Sequence, residues 1–309
     1  MRNDIIENEL VQSTRKVKNE FDAIVSTYSQ DLWSFCKYLT GSPWDGEDLF
    51  QETLLKSFGL LPLRWSEITD KKYYLFRIAT NSWLDQCKKR KREVGTLDSV
   101  QEEATDSSDS LIIEEILLVM ESVLTPKQLA TFLLFDVFQF SADEIAGMVH
   151  STPGGVYAAV QRARRKVKTL DYENKKSPKH VTNPVIKEYL KAFNNGDLTG
   201  LLSLFSENAD NEAFLGFQEY SKGEMLKGSL RFGLPGHYAK EFILWGRPVI
   251  IVLADQEHGP EIHDIQIQEV ENNKIVSHKS YFFRKELIFA AAKELGMSAQ
   301  LVKPPVNWS

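Results

Sequence analysis

Between residues 98 and 110 the chain reads D-S-V-Q-E-E-A-T-D-S-S-D-S, with no basic residue and only one strong apolar one. A stretch of this kind has nothing to bury and reads as a flexible acidic linker. A domain boundary is the simplest inference. It fits 309 residues, a length that favours two or three small domains over one. At 42% hydrophobic and 26% charged, the chain has enough apolar material for more than one core.

The segment before the linker is helical in pattern. Phe21, Ile24, Val25, Tyr28, Leu32, Phe35, Cys36 and Leu39 recur at helical spacing and stop at T-G-S-P, residues 40 to 43. A second helix is expected from about Asp45 to Phe58, carrying Leu49, Phe50, Thr53, Leu54 and Phe58 towards the first. Asp45, Glu47 and Asp48 stand at its start, where the positive end of the helix dipole stabilises anions. After a less regular stretch from Gly59 to Thr69, a long helix is expected from about Asp70 to Glu93. Leu75, Ile78, Ala79 and Trp83 mark its buried side, and Lys88, Lys89, Arg90, Lys91 and Arg92 its C-terminal end.

Residues 111 to 170 read as four helices. Thr125-Pro126 starts one, S-A-D-E at 141 to 144 is a capping box of Ser141 and Glu144, and Thr152-Pro153 repeats the N-cap and proline grammar. V-Y-A-A-V-Q-R-A-R-R-K-V then forms an amphipathic helix with a basic face. Short helix, short turn and basic helix give the outline of a helix-turn-helix. Net charge is −6, yet both basic clusters are local, and phosphate binding depends on what one face displays.

The remainder changes character. Val185 to Phe193 and Leu198 to Phe205 read as helices, followed by strand patterns at 241–245, 248–254, 261–270 and 274–283 with Asn272-Asn273 as a hairpin turn. Helices first and an antiparallel sheet afterwards indicate an α+β unit. Cys36 and Cys87 have no metal or redox spacing, so a reduced intracellular protein with buried thiols is expected. No signal core opens the chain and no run reaches membrane-spanning length, which points to a cytoplasmic protein without membrane contact. No phosphate loop or metal spacing is present, and neither cofactor nor metal is expected.

Three stretches carry a family resemblance. D-G-E-D-L-F-Q-E-T-L-L-K-S-F at 45 to 58, with L-F-R-I-A-T-N-S-W-L-D-Q-C-K-K-R-K-R downstream, resembles region 2 of the extracytoplasmic-function sigma factors of the sigma-70 superfamily. L-T-P-K-Q-L-A-T-F-L-L-F-D-V-F-Q-F-S-A-D-E-I-A-G-M-V at 124 to 149, continuing to Q-R-A-R-R-K-V, resembles region 4. The matches cover roughly residues 20 to 170, in the family's order.

The resemblance implies a multidomain chain: a region 2 helical bundle at 1–95, an acidic linker at 96–112, a region 4 helix-turn-helix at 113–172 and a second linker at 173–183. It implies that Asp45, Glu47, Asp48, Gln51 and Glu52 dock on core RNA polymerase. Promoter −10 readout and strand opening would fall to Arg77, Asn81, Ser82, Asp85 and the basic run 88 to 92, with Lys71, Lys72, Tyr73 and Tyr74 near the opened strand. One small domain then needs two opposite electrostatic surfaces, because it bridges a protein partner and a polyanion. Trp83 has the spacing of a core residue. Region 4 would read the −35 element through Thr152, Tyr157, Gln161, Arg162, Arg164, Arg165 and Lys166. The turn departs from the family's pattern, with His150, Ser151 and Thr152 where glycine, an apolar residue and serine are usual.

Residues 184–309 resemble a SnoaL-like domain of the NTF2-like superfamily, an α+β fold with a cone-shaped pocket, its last strand followed by a short helix. In sigma factors with such an extension it is thought to regulate the sigma core, which implies an intramolecular contact. Candidate pocket residues are Tyr189, Trp245, His263, Asp264, His278 and Tyr281, around a candidate small-molecule ligand. His263 and Asp264 are adjacent in a strand, point to opposite faces and form no direct dyad. The expected function is a promoter-specific initiation subunit that is not an enzyme. The competing reading is a DNA-binding module tethered to a small-molecule-binding or isomerase-like domain.

Overall fold

The computed structural model describes residues 2–64, 68–93, 120–168, 182–213, 217–231 and 237–302. The acidic linker and the start of the helix expected from Leu111 lie outside them. The chain divides into two compact units, the first within residues 1–174 and the second almost wholly within 175–309.

The first unit is all helix. α1 (Arg2–Thr40), α2 (Pro43–Arg64) and α3 (Lys71–Glu93) pack on one another through the apolar stripes read from the sequence. Leu32, Phe35, Leu39, Phe50, Leu75, Phe76 and Trp83 are among the buried side chains of that packing. α1 and α2 cross so closely at Gly46 that a Cβ there would fall 2.5 Å from the Cα of Lys37. The glycine of D-G-E-D is therefore a packing requirement: only a residue without a side chain admits the neighbouring backbone. α2 continues past Phe58 to Arg64, beyond its expected end. Cys36 is buried, and burial pushes its thiol pKa up; Cys87 is half-buried, with a smaller push in the same direction and the same main cause.

The helix-turn-helix follows in the same unit. α4 (Pro126–Phe132) opens with a capping box of Thr125 and Gln128, then a π-helical turn spans Leu133–Val137. α5 (Ala142–Met148) opens with the expected box of Ser141 and Glu144, and α6 (Pro153–Val167) opens with Thr152 accepting from the Gly155 amide. Each hydroxyl satisfies a backbone donor that the first helical turn leaves unpaired. Phe138, just after the π-turn, packs on Phe35 of α1 and Phe76 of α3, and Phe140 on Phe76, at ring separations of 5.1 to 5.3 Å. The two helical parts thus share an aromatic cluster.

The second unit has the expected α+β composition. α7 (Pro184–Asn194) and α8 (Leu198–Leu204) precede β1 (Phe205–Ala213), β2 (Phe217–Glu219), the short α9 (Lys222–Lys227), β3 (Tyr238–Leu244), β4 (Arg247–Gln256), β5 (Gly259–Glu271), β6 (Lys274–Ser280), α10 (Lys285–Leu295) and β7 (Ser298–Ala299). They form one seven-stranded sheet in the order β2-β1-β6-β5-β4-β3, with β7 on β5. The sheet is mixed, because β1 pairs with β6 in parallel. The purely antiparallel sheet expected from the sequence is corrected by that pairing, which joins strands far apart in the chain.

α7 buries Val185, Ile186, Tyr189, Ala192 and Phe193 against a core that includes Ile250 and Val252 of β4 and Ile275 of β6. α10 packs against β5 and β3. Asn272 and Asn273 both adopt left-handed φ, 49° and 58°, at the β5–β6 hairpin, where the sequence placed a turn. Trp245 and Gly246 do the same between β3 and β4, with φ of 47° and 75°. Trp245 is thus a turn residue and not the strand end its apolar neighbours suggested.

Candidate functional site

α3 carries the chemistry of the first unit along one face. Tyr74, Arg77, Ile78, Asn81, Ser82 and Asp85 line a groove of about 470 Å³, closed on its other side by Lys56 and Gly59 of α2. The spacing is three and four residues throughout, so one side of a single helix supplies the whole wall. Arg77 is exposed and stacks over the Tyr73 ring at 5.7 Å, while Asn81 is half-buried. Ser82 is buried and accepts from Lys56 at 3.0 Å. Lys56 also pairs with Glu52, which accepts from Gln86 of α3 at 2.6 Å, so a polar bridge fixes the width of the groove. Asp85 is exposed beside Lys88 at 2.9 Å, and that hydrogen bond holds its carboxyl below the usual carboxylate range.

The helix then ends in Lys88, Lys89, Arg90, Lys91 and Arg92, all exposed. Five cations at the negative end of the dipole are stable there and form a strong local positive field. Trp83, as its spacing suggested, is core, with no exposed surface. Tyr74 is buried for most of its surface although it reaches the groove. Lys72 lies over the Phe76 and Phe140 rings, and Lys71 donates to the carbonyl of Ile68. Tyr73 is half-buried, and its hydroxyl sits so close to Gly147 of α5 that a Cβ there would fall 2.7 Å away.

The acidic start of α2 separates into two kinds of residue. Asp45 and Asp48 are exposed. Glu47 is fully buried, accepting from Trp33 Nε1 at 2.9 Å and from Gln51 Nε2 at 2.7 Å. Its expected place on a docking surface is therefore corrected: its carboxylate is buried and ties α1 to α2. Gln51 and Glu52 are half-buried and engaged within the unit.

α6 buries Val156, Ala159, Val160 and Ala163 and turns Tyr157, Ala158, Gln161, Arg162 and Arg165 outwards. Arg164 is exposed but already engaged within the unit. Its guanidinium forms a two-point pair with Asp136 of the π-turn, Nε to Oδ2 at 2.9 Å, and stacks over Phe135. Lys166 donates to the carbonyl of Val123 at 3.2 Å. Both side chains hold α6 against its scaffold. Thr152 acts as the helix cap, and Tyr157 is exposed, edge-on to Phe135. His150 adopts φ 50° in the turn, the conformation that makes glycine usual there.

In the second unit, His263 and Asp264 take different partners and form no direct dyad, although an irregularity interrupts the strand's alternation there. The pairing of β5 with β4 skips His263, because Val252 faces Asp264 and Leu253 faces Ile262. His263 is buried against Phe282 and His237 and bonds Gln300. Asp264 accepts instead from Gln266 and Ser280, each at 2.9 Å. Tyr189 donates to Gln266 at 3.1 Å, and Gln268 meets His278 Nδ1 at 3.1 Å. Burial pushes the His278 pKa down to about 4 and the Tyr189 pKa up, so both are neutral near pH 7.

The cavity on this side, about 340 Å³, is lined by Gln266, Gln268, Ile186, Glu241, Val249 and neighbouring apolar residues. None of the five aromatic residues expected in a pocket lines it. Tyr189 and His278 hold its glutamines, whereas Trp245 belongs to the turn, His263 packs on Phe282 and His237, and Tyr281 is buried elsewhere than in the cavity wall. Gln266 and Gln268 escaped the sequence reading because glutamine at alternate strand positions also describes an exposed face. Among the described residues there is no cluster of side chains fit for a metal ion, and no helix is long and apolar enough to cross a membrane.

Comparison with known proteins bears directly on these surfaces. Residues 24–93 match the family model for sigma-70 region 2, and residues 114–167 match that for sigma-70 region 4. The chain is 30% identical over 162 residues to the RNA polymerase sigma-E factor of Streptomyces antibioticus, covering 50% of this chain and 88% of that protein. It is 26% identical over 238 residues to the ECF RNA polymerase sigma factor SigG of Mycobacterium tuberculosis, covering 66% of this chain and 64% of SigG. Among solved structures it is similar to the extracytoplasmic-function sigma factor SigJ of Mycobacterium tuberculosis, at 18% identity and a TM-score of 0.34, over 85% of this chain and 95% of that one. The chain belongs to the ECF RNA polymerase sigma factors of the sigma-70 family.

Proposed function

We propose that this protein binds core RNA polymerase and directs it to promoters, reading a −10 element with α3 and a −35 element with α6. The observation that carries the reading is the α3 groove. A tyrosine, an arginine, an asparagine, a serine and an aspartate share one concave wall directly before a run of five cations. Such a wall offers donors, acceptors and an aromatic edge to an unpaired base, while the cations neutralise its backbone. On α6, Gln161, Arg162 and Arg165 are exposed along one side, free of the scaffold pairing that holds Arg164. They are the side chains suited to base edges and phosphates.

Polymerase docking falls to Asp45 and Asp48, exposed carboxylates of α2, with the exposed Leu55 further along the same helix. The protein works in this reading as a binding subunit and not as an enzyme, in the cytoplasm, and opens DNA by holding the unpaired strand. The second unit modulates the first through an intramolecular contact.

The test is transcription by core polymerase from a randomised promoter library, with the full chain and with Asn81→Ala and Arg162→Ala variants. Promoter-selective transcripts are expected, with −10 preference altered by Asn81→Ala and −35 preference by Arg162→Ala. Absence of selective transcripts from the unaltered chain overturns the proposal.

A further inference from the structure

The cavity between α7 and strands β3 to β5 has an uneven lining. Ile186, Val249, Ile250 and Val270 make an apolar body, and two glutamines stand together at alternate positions of β5. Gln266 is satisfied within the protein, accepting from Tyr189 and donating to Asp264. Gln268 is satisfied at one end only. Its Nε2 meets His278 Nδ1 at 3.1 Å, and its Oε1 is buried with no hydrogen-bond partner. A neutral imidazole accepts at Nδ1 when its proton is on Nε2, so it orients the amide and leaves the carbonyl oxygen over. An acceptor buried without a donor is costly, and such an exception beside a cavity marks a place where a bound group can supply the donor.

From this geometry we infer that the cavity is a binding site for a small, neutral, mainly apolar molecule whose N–H or O–H group donates to Gln268 Oε1. The volume of about 340 Å³ suits a ligand the size of one or two fused rings, at the small end of ligand pockets. Charge sets the class further. None of the cavity's lining residues is basic, and the carboxylate of Glu241 lies in its wall, accepting from Thr182. An anionic ligand would meet that carboxylate, with no basic residue among those lining the cavity to offset it. The site belongs to the second unit alone and stands whether or not the first unit initiates transcription, because binding is read directly.

Indole and benzofuran test it, since they share one shape and only indole carries an N–H. Ligand-observed NMR and calorimetry on the full chain should show indole binding about tenfold more tightly than benzofuran, with indole-2-carboxylate not binding. Gln268→Met, which keeps the length and removes the acceptor, should bring the two ligands to equal affinity. Ile186→Phe, which fills the cavity, should abolish binding of both. Equal binding of indole and benzofuran to the unaltered chain overturns the inference, as does no binding of indole up to millimolar concentration or tighter binding of the carboxylate. The comparison of ligands on the unaltered chain decides the matter even if a variant fails to fold.

Discussion

The helical unit carries its polar groups exposed, and the sheet unit carries a set of them buried. In the helical unit the exposed polar residues stand outside an apolar stripe: Arg77, Lys88 to Arg92, Gln161, Arg162 and Arg165 all lie on solvent faces. In the sheet unit they are sealed in, with Tyr189, Asp264, Gln266 and His278 buried among strands and α7. An exposed set can be altered one residue at a time with changes in binding and little else. A buried set is coupled, and a change in one member leaves another unsatisfied. The difference separates an exposed, cation-rich surface from an interior that sustains its own geometry.

The largest test of that contrast is pH. His278 titrates at about 4 in the fold against 6.5 unperturbed, because burial disfavours its cation. The unfolded chain therefore binds the proton more readily, and the stability of the sheet unit falls as pH drops from about 6.5 towards about 4. The loss approaches about 1.4 kcal/mol per pH unit and totals about 3 kcal/mol. Protection factors of the β5 and β6 amides, corrected for the intrinsic exchange rate at each pH, should fall across that window, and His278→Asn should flatten the response. A response confined to α2 and α3 would break the comparison.

Next comes the division within the acidic motif. Glu47→Ala leaves the Trp33 and Gln51 donors buried without their acceptor, an expected cost of about 2–3 kcal/mol in denaturant unfolding. Asp48→Ala should change stability by less than about 0.5 kcal/mol and weaken polymerase binding instead. If both acted alike, the motif would have only one role.

On α6, Arg162→Ala and Arg165→Ala should each reduce the salt slope of DNA binding by about 1. Arg164→Ala should leave the slope nearly unchanged and lower the melting temperature. A slope change for Arg164 equal to that of its neighbours would return it to the DNA face. The smallest effect is expected for His150→Gly, which relieves a left-handed φ at some entropic cost and should stabilise by less than about 1 kcal/mol. A loss of stability would give the His150 side chain a role of its own in the turn.

Much of the helical unit was legible because its signals are local. Ser141 with Glu144 and Thr152 with Pro153 mark helix starts within four residues, and Asn272-Asn273 marks a turn within two. The buried side of Glu47 was not legible, since its partner Trp33 lies on another helix and an acidic residue near a helix start is stable there anyway. β1 was missed for a similar reason. S-E-N-A-D-N-E has few side chains that favour strands, and its order comes from pairing with β6. The cavity depends on α7, β3, β4 and β5 meeting, and no single segment carries its outline.

The parallel pairing of β1 with β6 also has a consequence in time. β1 begins at Phe205, and its partner is complete only at Ser280. The last helix of the first unit ends at Val167, on the order of 100 residues earlier, and ribosomes add about 5–20 residues per second. Helical units with short-range contacts fold within milliseconds or faster. Every newly made molecule therefore passes several seconds with its helical unit complete and its sheet still unable to close, so the helical unit must hold together unaided on the ribosome before the rest of the chain has a fold.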